Sequence, residues 1–305
     1  MDFSLDILGC GSATPTMRHL PSCQVVTHRR RLMMIDCGEG AQLQMRRQRL
    51  QFSRLRHIFI SHIHGDHFLG LPGLLSTMAL HDTGGTVTVH CLRQGAELLR
   101  SIMAVLCRDT SFDIEYDVIE PREAVIIDDD ALRVSTFPLY HRVPAVGFRF
   151  DEKPKPRHID GEAVRFYGVS HAWMERLRRG EDYVAPDGRV IENARLTRPA
   201  DRSCSYAYCS DTMYDERVAR AVAGVDTLYH EATYLTDRAD KAAPRGHSTA
   251  AEAGRIATLA GVRRLVVGHY SKSYDSDEPF AAEAATTFAG QVIPAREGLH
   301  LDLDF

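Results

Sequence analysis

His57-Ile58-Phe59-Ile60-Ser61-His62-Ile63-His64-Gly65-Asp66-His67 is the stretch around which the rest of the chain is organised. It begins as a short apolar run, Ile58-Phe59-Ile60, which reads as a buried strand. It then passes into four side chains able to ligate a metal, His62, His64, Asp66 and His67, within six residues. The period of two along a strand holds His62 and His64 on one side. Gly65 lets the backbone turn sharply, so that Asp66 and His67 can aim at a second point beyond the strand end. Imidazole and carboxylate donors together suit zinc, with manganese as a harder alternative. A solvated loop would account for one such histidine. Packing gives no reason to crowd four such groups directly behind a buried strand.

Around this stretch, 305 residues suffice to bury a sizeable core, as one large domain or two modest ones. No apolar run is long enough to span a membrane. The start, Met1-Asp2-Phe3-Ser4-Leu5-Asp6, is acidic and enters a strand-like pattern directly, so no signal peptide is expected. The seven cysteines are scattered, odd in number and without a CxxC pair, which fits free thiols in a reducing cytoplasm. Net charge is −4, so the chain is no polycation, but its charge is unevenly placed. Between Met17 and Arg56 stand nine arginines against Asp36 and Glu39. Arginine presents a fork that matches phosphate oxygens in pairs.

Residues 3–8 read as a strand ending in Gly9-Cys10-Gly11-Ser12-Ala13-Thr14-Pro15, a turn without the spacing of either nucleotide-binding fingerprint. Residues 23–28 and 32–36 read as a hairpin and 42–50 as a helix carrying Arg46, Arg47 and Arg49. Gly70-Leu71-Pro72-Gly73 leads into a helix over 74–81, and another is expected over 97–106. Strands are expected over 86–91, 112–118, 124–127, 132–139 and 146–150, with His141 just past one of them. Residues 151–199 break the pattern: they are proline-bearing, basic at the front, and hold the sole tryptophan, Trp173. They read as an insertion projecting from the core, with some helix near 171–179. An aromatic among arginines there would suit a nucleic-acid surface.

The regular pattern then resumes. Strand-like runs end in Ser210-Asp211-Thr212, in His230-Glu231-Ala232-Thr233 and in Gly268-His269-Tyr270, while Gly246-His247-Ser248-Thr249 caps a helix running to 259. Strand C-terminal ends are where sheet proteins gather active-site groups. Two metals held by histidines and carboxylates make water a stronger acid and neutralise charge on phosphorus, which suits phosphodiester hydrolysis. A carboxylate must then hold the pair together, and Asp211 is the candidate. The leaving group needs a proton from a histidine outside the ligand set, His247 or His230, with Glu231 orienting it.

The motif His62-x-His64-x-Asp66-His67 resembles the signature of the metallo-β-lactamase superfamily. Together with Leu8-Gly9-Cys10-Gly11-Ser12-Ala13 and the three later strand ends and the helix cap, the ordered set is similar to that of the ribonuclease Z family, endonucleases that trim the 3′ end of precursor tRNA. The resemblance runs nearly end to end. It implies an α/β fold, the αβ/βα four-layer sandwich, as a single domain over 1–305 with an inserted tRNA-gripping arm at about 152–200. It implies two zinc ions per subunit, a homodimer, and precursor tRNA as partner. His62, His64 and His141 would hold one zinc; Asp66, His67 and His269 the other; Asp211 would bridge. Asp66 would position or deprotonate the attacking water, and His247, helped by Glu231, would protonate the leaving ribose oxygen, giving a 3′-hydroxyl and a 5′-phosphate.

Two stretches depart from the family pattern. The arm reads Tyr167-Gly168-Val169-Ser170-His171-Ala172-Trp173 where many bacterial members have a Gly-Pro-rich turn, and Pro15-Thr16-Met17-Arg18-His19 lacks the lysine and asparagine common in the loop that bears on CCA ends. The alternatives are a broader phosphodiesterase or 3′ exoribonuclease on the same site, a lactam or thioester hydrolase, and a non-catalytic RNA-binding module. His19, His28, His57, His81, His90, His158, His171 and His300 are expected to be structural or exposed. His230 is expected to orient a ligand rather than act on substrate.

Overall fold

A computed structural model describes residues 3–81, 84–107 and 110–304; Met1 and Asp2, part of the acidic start, lie outside the described residues. Two seven-stranded sheets face each other. In the first, the strand order is His300–Asp302, Phe3–Gly9, Cys23–His28, Arg31–Ile35, Leu55–Phe59, Thr86–Leu92 and Asp113–Ile119. The first three junctions are antiparallel and the last three parallel. The second sheet runs Gln291–Pro294, Arg264–Gly268, Thr227–Glu231, Ser205–Cys209, Ala145–Glu152, Leu132–Leu139 and Ala124–Asp128, with the same division in mirror order.

Alternation along the strands splits them between two cores. Met33 and Ile35 point between the sheets, whereas Leu32 and Met34 point outward. Phe59 meets Phe148 and Phe150 of the opposite sheet at 5.2 and 5.5 Å between ring centroids. Outside the first sheet, helices Gly70–Leu80 and Arg93–Leu106 bury Leu71, Leu74, Leu75, Met78, Leu99 and Met103 against it. Outside the second, helix Ala250–Ala260 buries Ala253, Ile256 and Ala257. The layers are therefore helix, sheet, sheet, helix. Among the described residues no helix is long and apolar enough to cross a membrane.

Element bounds differ from the sequence reading where glycine and proline mislead. The helix expected from 74 starts at Gly70, because Pro72 falls in the first turn, where a missing N–H costs no hydrogen bond. The helix expected to reach 50 stops at Arg47, and Arg49 sits in the left-handed region at φ 59°.

Residues 153–204 leave the second sheet after Ala145–Glu152 and return into its neighbour Ser205–Cys209. Two short pairings, His158–Ile159 with Thr197–Arg198 and Tyr183–Val184 with Val190–Ile191, frame helices Gly161–Phe166 and Met174–Arg178. This segment has a small core of its own, built on Val164, Leu177, Tyr183, Ile191 and Leu196. Trp173 belongs to it: the ring is half-buried, edge-on to Tyr183 at 5.1 Å, with the Arg176 guanidinium 3.8 Å from its centroid. The aromatic that does face solvent is Phe166, 82 % exposed.

Candidate metal centre and active site

Each strand-end group is set by where its strand stops. Leu55–Phe59 delivers His62 and His64, a short helix Gly65–Phe68 turns Asp66 and His67 inward, and Ser205–Cys209 delivers Asp211. Thr227–Glu231 ends on Glu231, and Arg264–Gly268 is followed by His269 in the left-handed region at φ 64°. A histidine seldom adopts that conformation, and such strain concentrates at functional sites.

Two donor groups result. His64 Nδ1 lies 3.0 Å from His62 Nε2 and 3.3 Å from His141 Nε2, and Asp211 Oδ2 is 3.6 Å from His62 and 3.8 Å from His141. Beside it, His67 Nε2 and His269 Nε2 stand 3.3 Å apart, each 3.5 Å from Asp66 Oδ2, with Asp211 Oδ1 3.4 and 3.1 Å away. Ligands roughly 2.1 Å from a tetrahedral zinc ion stand about 3.4 Å from one another. The two oxygens of Asp211 thus face one donor group each.

The rings are held with their lone pairs inward. His67 Nδ1 donates to Asp36 (2.7 Å), His269 Nδ1 to Thr233 Oγ1 (2.8 Å), His141 Nδ1 to the Gly246 carbonyl (2.7 Å) and His62 Nδ1 to Ser61 Oγ (3.0 Å). A proton on the outer nitrogen leaves the inner one as a bare acceptor. Gly246 is required there: its φ is 75°, and a Cβ would come within 2.6 Å of His141 Nδ1. Asp211 Oδ1 is buried and accepts no hydrogen bond. A buried carboxylate oxygen without a donor, facing nitrogens that all present lone pairs, fits a cation. Burial would lower the His67 pKa, yet Asp211, Asp36 and Asp66 together outweigh it and raise it. Burial lowers the pKa of His62, His64 and His141, which favours their neutral, lone-pair-bearing form.

Asp66 is fixed from outside by the Ala13 N–H at 2.7 Å, so the glycine-rich turn after the first strand clamps the carboxylate rather than an anion. Glu231, fully buried, accepts from the backbone N–H groups of Thr212 and Ser248 (both 3.1 Å) and of Thr233 (2.9 Å). His247 Nδ1 donates to Glu231 Oε1 at 2.9 Å. Burial would lower the His247 pKa, but the Glu231 charge, then that of Asp211, push it up to about 9. Its Nε2 is left to carry a proton toward the cleft. Thr249 and Glu252 cap the following helix reciprocally, which anchors the His247 segment.

All nine singled-out residues, His62, His64, Asp66, His67, His141, Asp211, Glu231, His247 and His269, meet here. His230 does not: its Nδ1 donates to the Glu231 carbonyl at 2.7 Å, it lies outside the donor groups, and its Nε2 is buried without a partner. His19, expected to be structural or exposed, is buried between Glu297 (3.0 Å) and Asp277 (2.9 Å). Sequence reasoning missed Asp36. Fully buried, at φ 53°, it accepts from Ser61 N–H (2.8 Å), Ser61 Oγ (2.9 Å), Tyr208 OH (2.7 Å) and His67. The available signal was an acid ending the buried run Leu32-Met33-Met34-Ile35, the same signature that singled out Asp211.

Residues 3–153 match the family model described as Anti-Pycsar protein Apyc1. Ribonuclease Z of Parabacteroides distasonis is 46% identical over 303 residues, covering 99% of both chains. Ribonuclease Z of Bacteroides fragilis is 45% identical over 302 residues with the same coverage. Among solved structures, human tRNase Z, short form, aligns with a TM-score of 0.71 at 23% identity over 99% of this chain and 100% of that one. The metallo-β-lactamase fold protein YhfI from Bacillus subtilis aligns at 0.70 and 17%, over 99% of each. The helix–sheet–sheet–helix sandwich is the metallo-β-lactamase fold.

Proposed function

The chain belongs to the ribonuclease Z family, and from that premise we propose that it is a metal-dependent endoribonuclease removing the 3′ trailer of precursor tRNA. In this reading His62, His64 and His141 would hold one ion, Asp66, His67 and His269 the other, and Asp211 would serve both. Zinc fits the nitrogen-rich donors, with manganese second. Bound there, the ions acidify water and neutralise charge on the phosphorus. Asp66, clamped by Ala13, positions the attacking water and takes its proton. His247, kept protonated by Glu231, gives a proton to the departing O3′. The tRNA keeps a 3′-hydroxyl and the trailer a 5′-phosphate. The observation that carries the reading is Asp211, whose two oxygens divide between two donor groups and of which Oδ1 has no hydrogen-bond donor.

The inserted segment serves as the arm that grips tRNA, and the enzyme works as a homodimer. Asp151 pairs with Ser205, the first residue of the strand whose far end leads to Asp211. The arm therefore springs from the end of the sandwich opposite the metal centre, roughly 15 Å away over five residues. That separation supports a reading in which the arm of a second copy reaches RNA on this site. None of the seven cysteines is in a disulfide, which suits the reducing cytoplasm.

The test is cleavage of two 3′-extended tRNA precursors, one with an encoded CCA and one without, by zinc-loaded protein, with the 3′ ends mapped. Endonucleolytic cutting of either supports the reading, and the mapped end fixes the effect of the Pro15 to His19 loop. Stepwise shortening favours the exoribonuclease alternative. No cutting, with bis(p-nitrophenyl) phosphate still hydrolysed, favours the broader phosphodiesterase.

A further inference from the structure

A cavity of about 800 Å³ opens where the arm leaves the sandwich, and none of its lining residues belongs to the metal centre. Its acids are already neutralised from within. Glu152 accepts from His28 Nε2 (3.2 Å), Lys155 Nζ (2.9 Å) and the Cys204 N–H (3.0 Å). Lys155 also reaches Asp304 at 2.9 Å, and Asp201 pairs with His158 at 3.0 Å. The Lys155 ammonium stands where a cation between Glu152 and Asp304 would otherwise be wanted, so these acids do not make a metal site.

Of the four arginines lining the cavity, Arg202 pairs with Asp226, and the other three are not neutralised. Among the described residues the side chains of Arg29 and Arg178 meet no carboxylate or other hydrogen-bond partner, and Arg157 engages only its Nε, with Thr197 Oγ1 at 2.8 Å. The three come from separate places: the turn of the first hairpin, the entry to the arm, and the end of helix Met174–Arg178. Arg29 and Arg30 occupy that turn at φ 46° and 68°, a left-handed pair that asparagine and glycine adopt more easily. The hairpin accepts that conformation and presents Arg29 to the cavity.

We propose that this cavity is a phosphate-binding pocket separate from the metal centre, in which Arg29, Arg157 and Arg178 clasp two or more phosphate groups of one ligand. Guanidinium forks match phosphate oxygens in pairs, and the volume exceeds what a single orthophosphate fills. An RNA backbone and a free nucleotide offer the same chemistry. The pocket does not depend on tRNA being the substrate of the metal centre. Because its arginines belong to both arm and sandwich, an occupant also fixes the angle at which the arm stands.

The probe is adenosine 3′,5′-bisphosphate, titrated calorimetrically into zinc-loaded wild type and into the Arg29→Ala/Arg178→Ala double variant. Binding at the metal centre is common to both proteins, so the difference reads the pocket. Both substituted residues are exposed; the melting temperature and hydrolysis of bis(p-nitrophenyl) phosphate should match wild type. Should the double variant melt early, Arg178→Glu alone serves in its place. The expected result is at least a tenfold weaker dissociation constant, partly recovered in Arg29→Lys/Arg178→Lys. A fivefold or larger rise in KM for precursor tRNA at unchanged kcat identifies the RNA backbone as occupant. An unchanged KM with the bisphosphate weakened identifies a free nucleotide. Unchanged bisphosphate binding together with unchanged KM overturns the proposal.

Discussion

The metal centre and the arm are built by opposite means. At the centre the outward-facing polar atoms are chained together: His269 gives its outer proton to Thr233, Thr233 gives its own to Glu231 (2.7 Å), and Glu231 also receives His247. These groups are nearly all buried, so a lost partner leaves an unpaired atom away from water, at a cost of about 1–3 kcal/mol. The arm has a small core, exposed arginines and an exposed Phe166, with ion pairs such as Arg176–Glu181 lying in solvent. Exposed pairs of that kind contribute little, about 0–1 kcal/mol. The centre therefore answers to single atoms, and the arm answers to the sum of its surface.

Substitutions should separate the two regions in a graded way. The largest effect is expected from Asp211→Ala, which removes the oxygens facing both donor groups. Metal content, read by elemental analysis, should fall, and hydrolysis of tRNA and of a small diester should drop together by about 10⁴-fold or more. Next comes His247→Ala. Metal content should stay near wild type while tRNA cleavage slows by about 10²–10⁴-fold, and bis(p-nitrophenyl) phosphate, whose leaving group needs no proton, should suffer far less. Full-rate tRNA cleavage by this variant would remove His247 from the mechanism.

Smaller still is Thr233→Val. It keeps the volume but takes away the acceptor of His269 and a donor to Glu231, so affinity for the second ion should weaken by about 10–100-fold in a chelator competition. The smallest effect belongs to the arm. Phe166→Ala should raise KM for precursor tRNA about fivefold, the loss of one stacking contact, and leave kcat, small-diester hydrolysis and melting temperature alone. Equal KM values in wild type and variant would show that Phe166 faces no base.

The same contrast explains what the sequence revealed. His62, His64, Asp66 and His67 were legible because their chemistry is crowded into one local run, and Asp211, Glu231 and His269 because each ends an apolar run. Asp36 was not, because the groups it holds lie far along the chain: Tyr208 is 172 residues away and His67 31. A lone acid closing a hairpin has no spacing to betray such distant partners. In the arm, composition gave the basic character but not the packing. Trp173 was read as a surface aromatic and turns out half-buried against Tyr183, while Phe166, one of two adjacent aromatics, is the one left outside. Short helices with few core contacts leave their inward face undecided by periodicity.

The most direct test excises the arm. Ile159 and Thr197 are cross-strand partners, so residues 160–196 can be replaced by a two-residue turn without parting the strands that carry the metal centre. The expected result is an enzyme that hydrolyses bis(p-nitrophenyl) phosphate at the wild-type rate with full metal content and loses about 10²-fold or more in kcat/KM on precursor tRNA. Undiminished tRNA cleavage by the excised protein would contradict the division of labour between centre and arm.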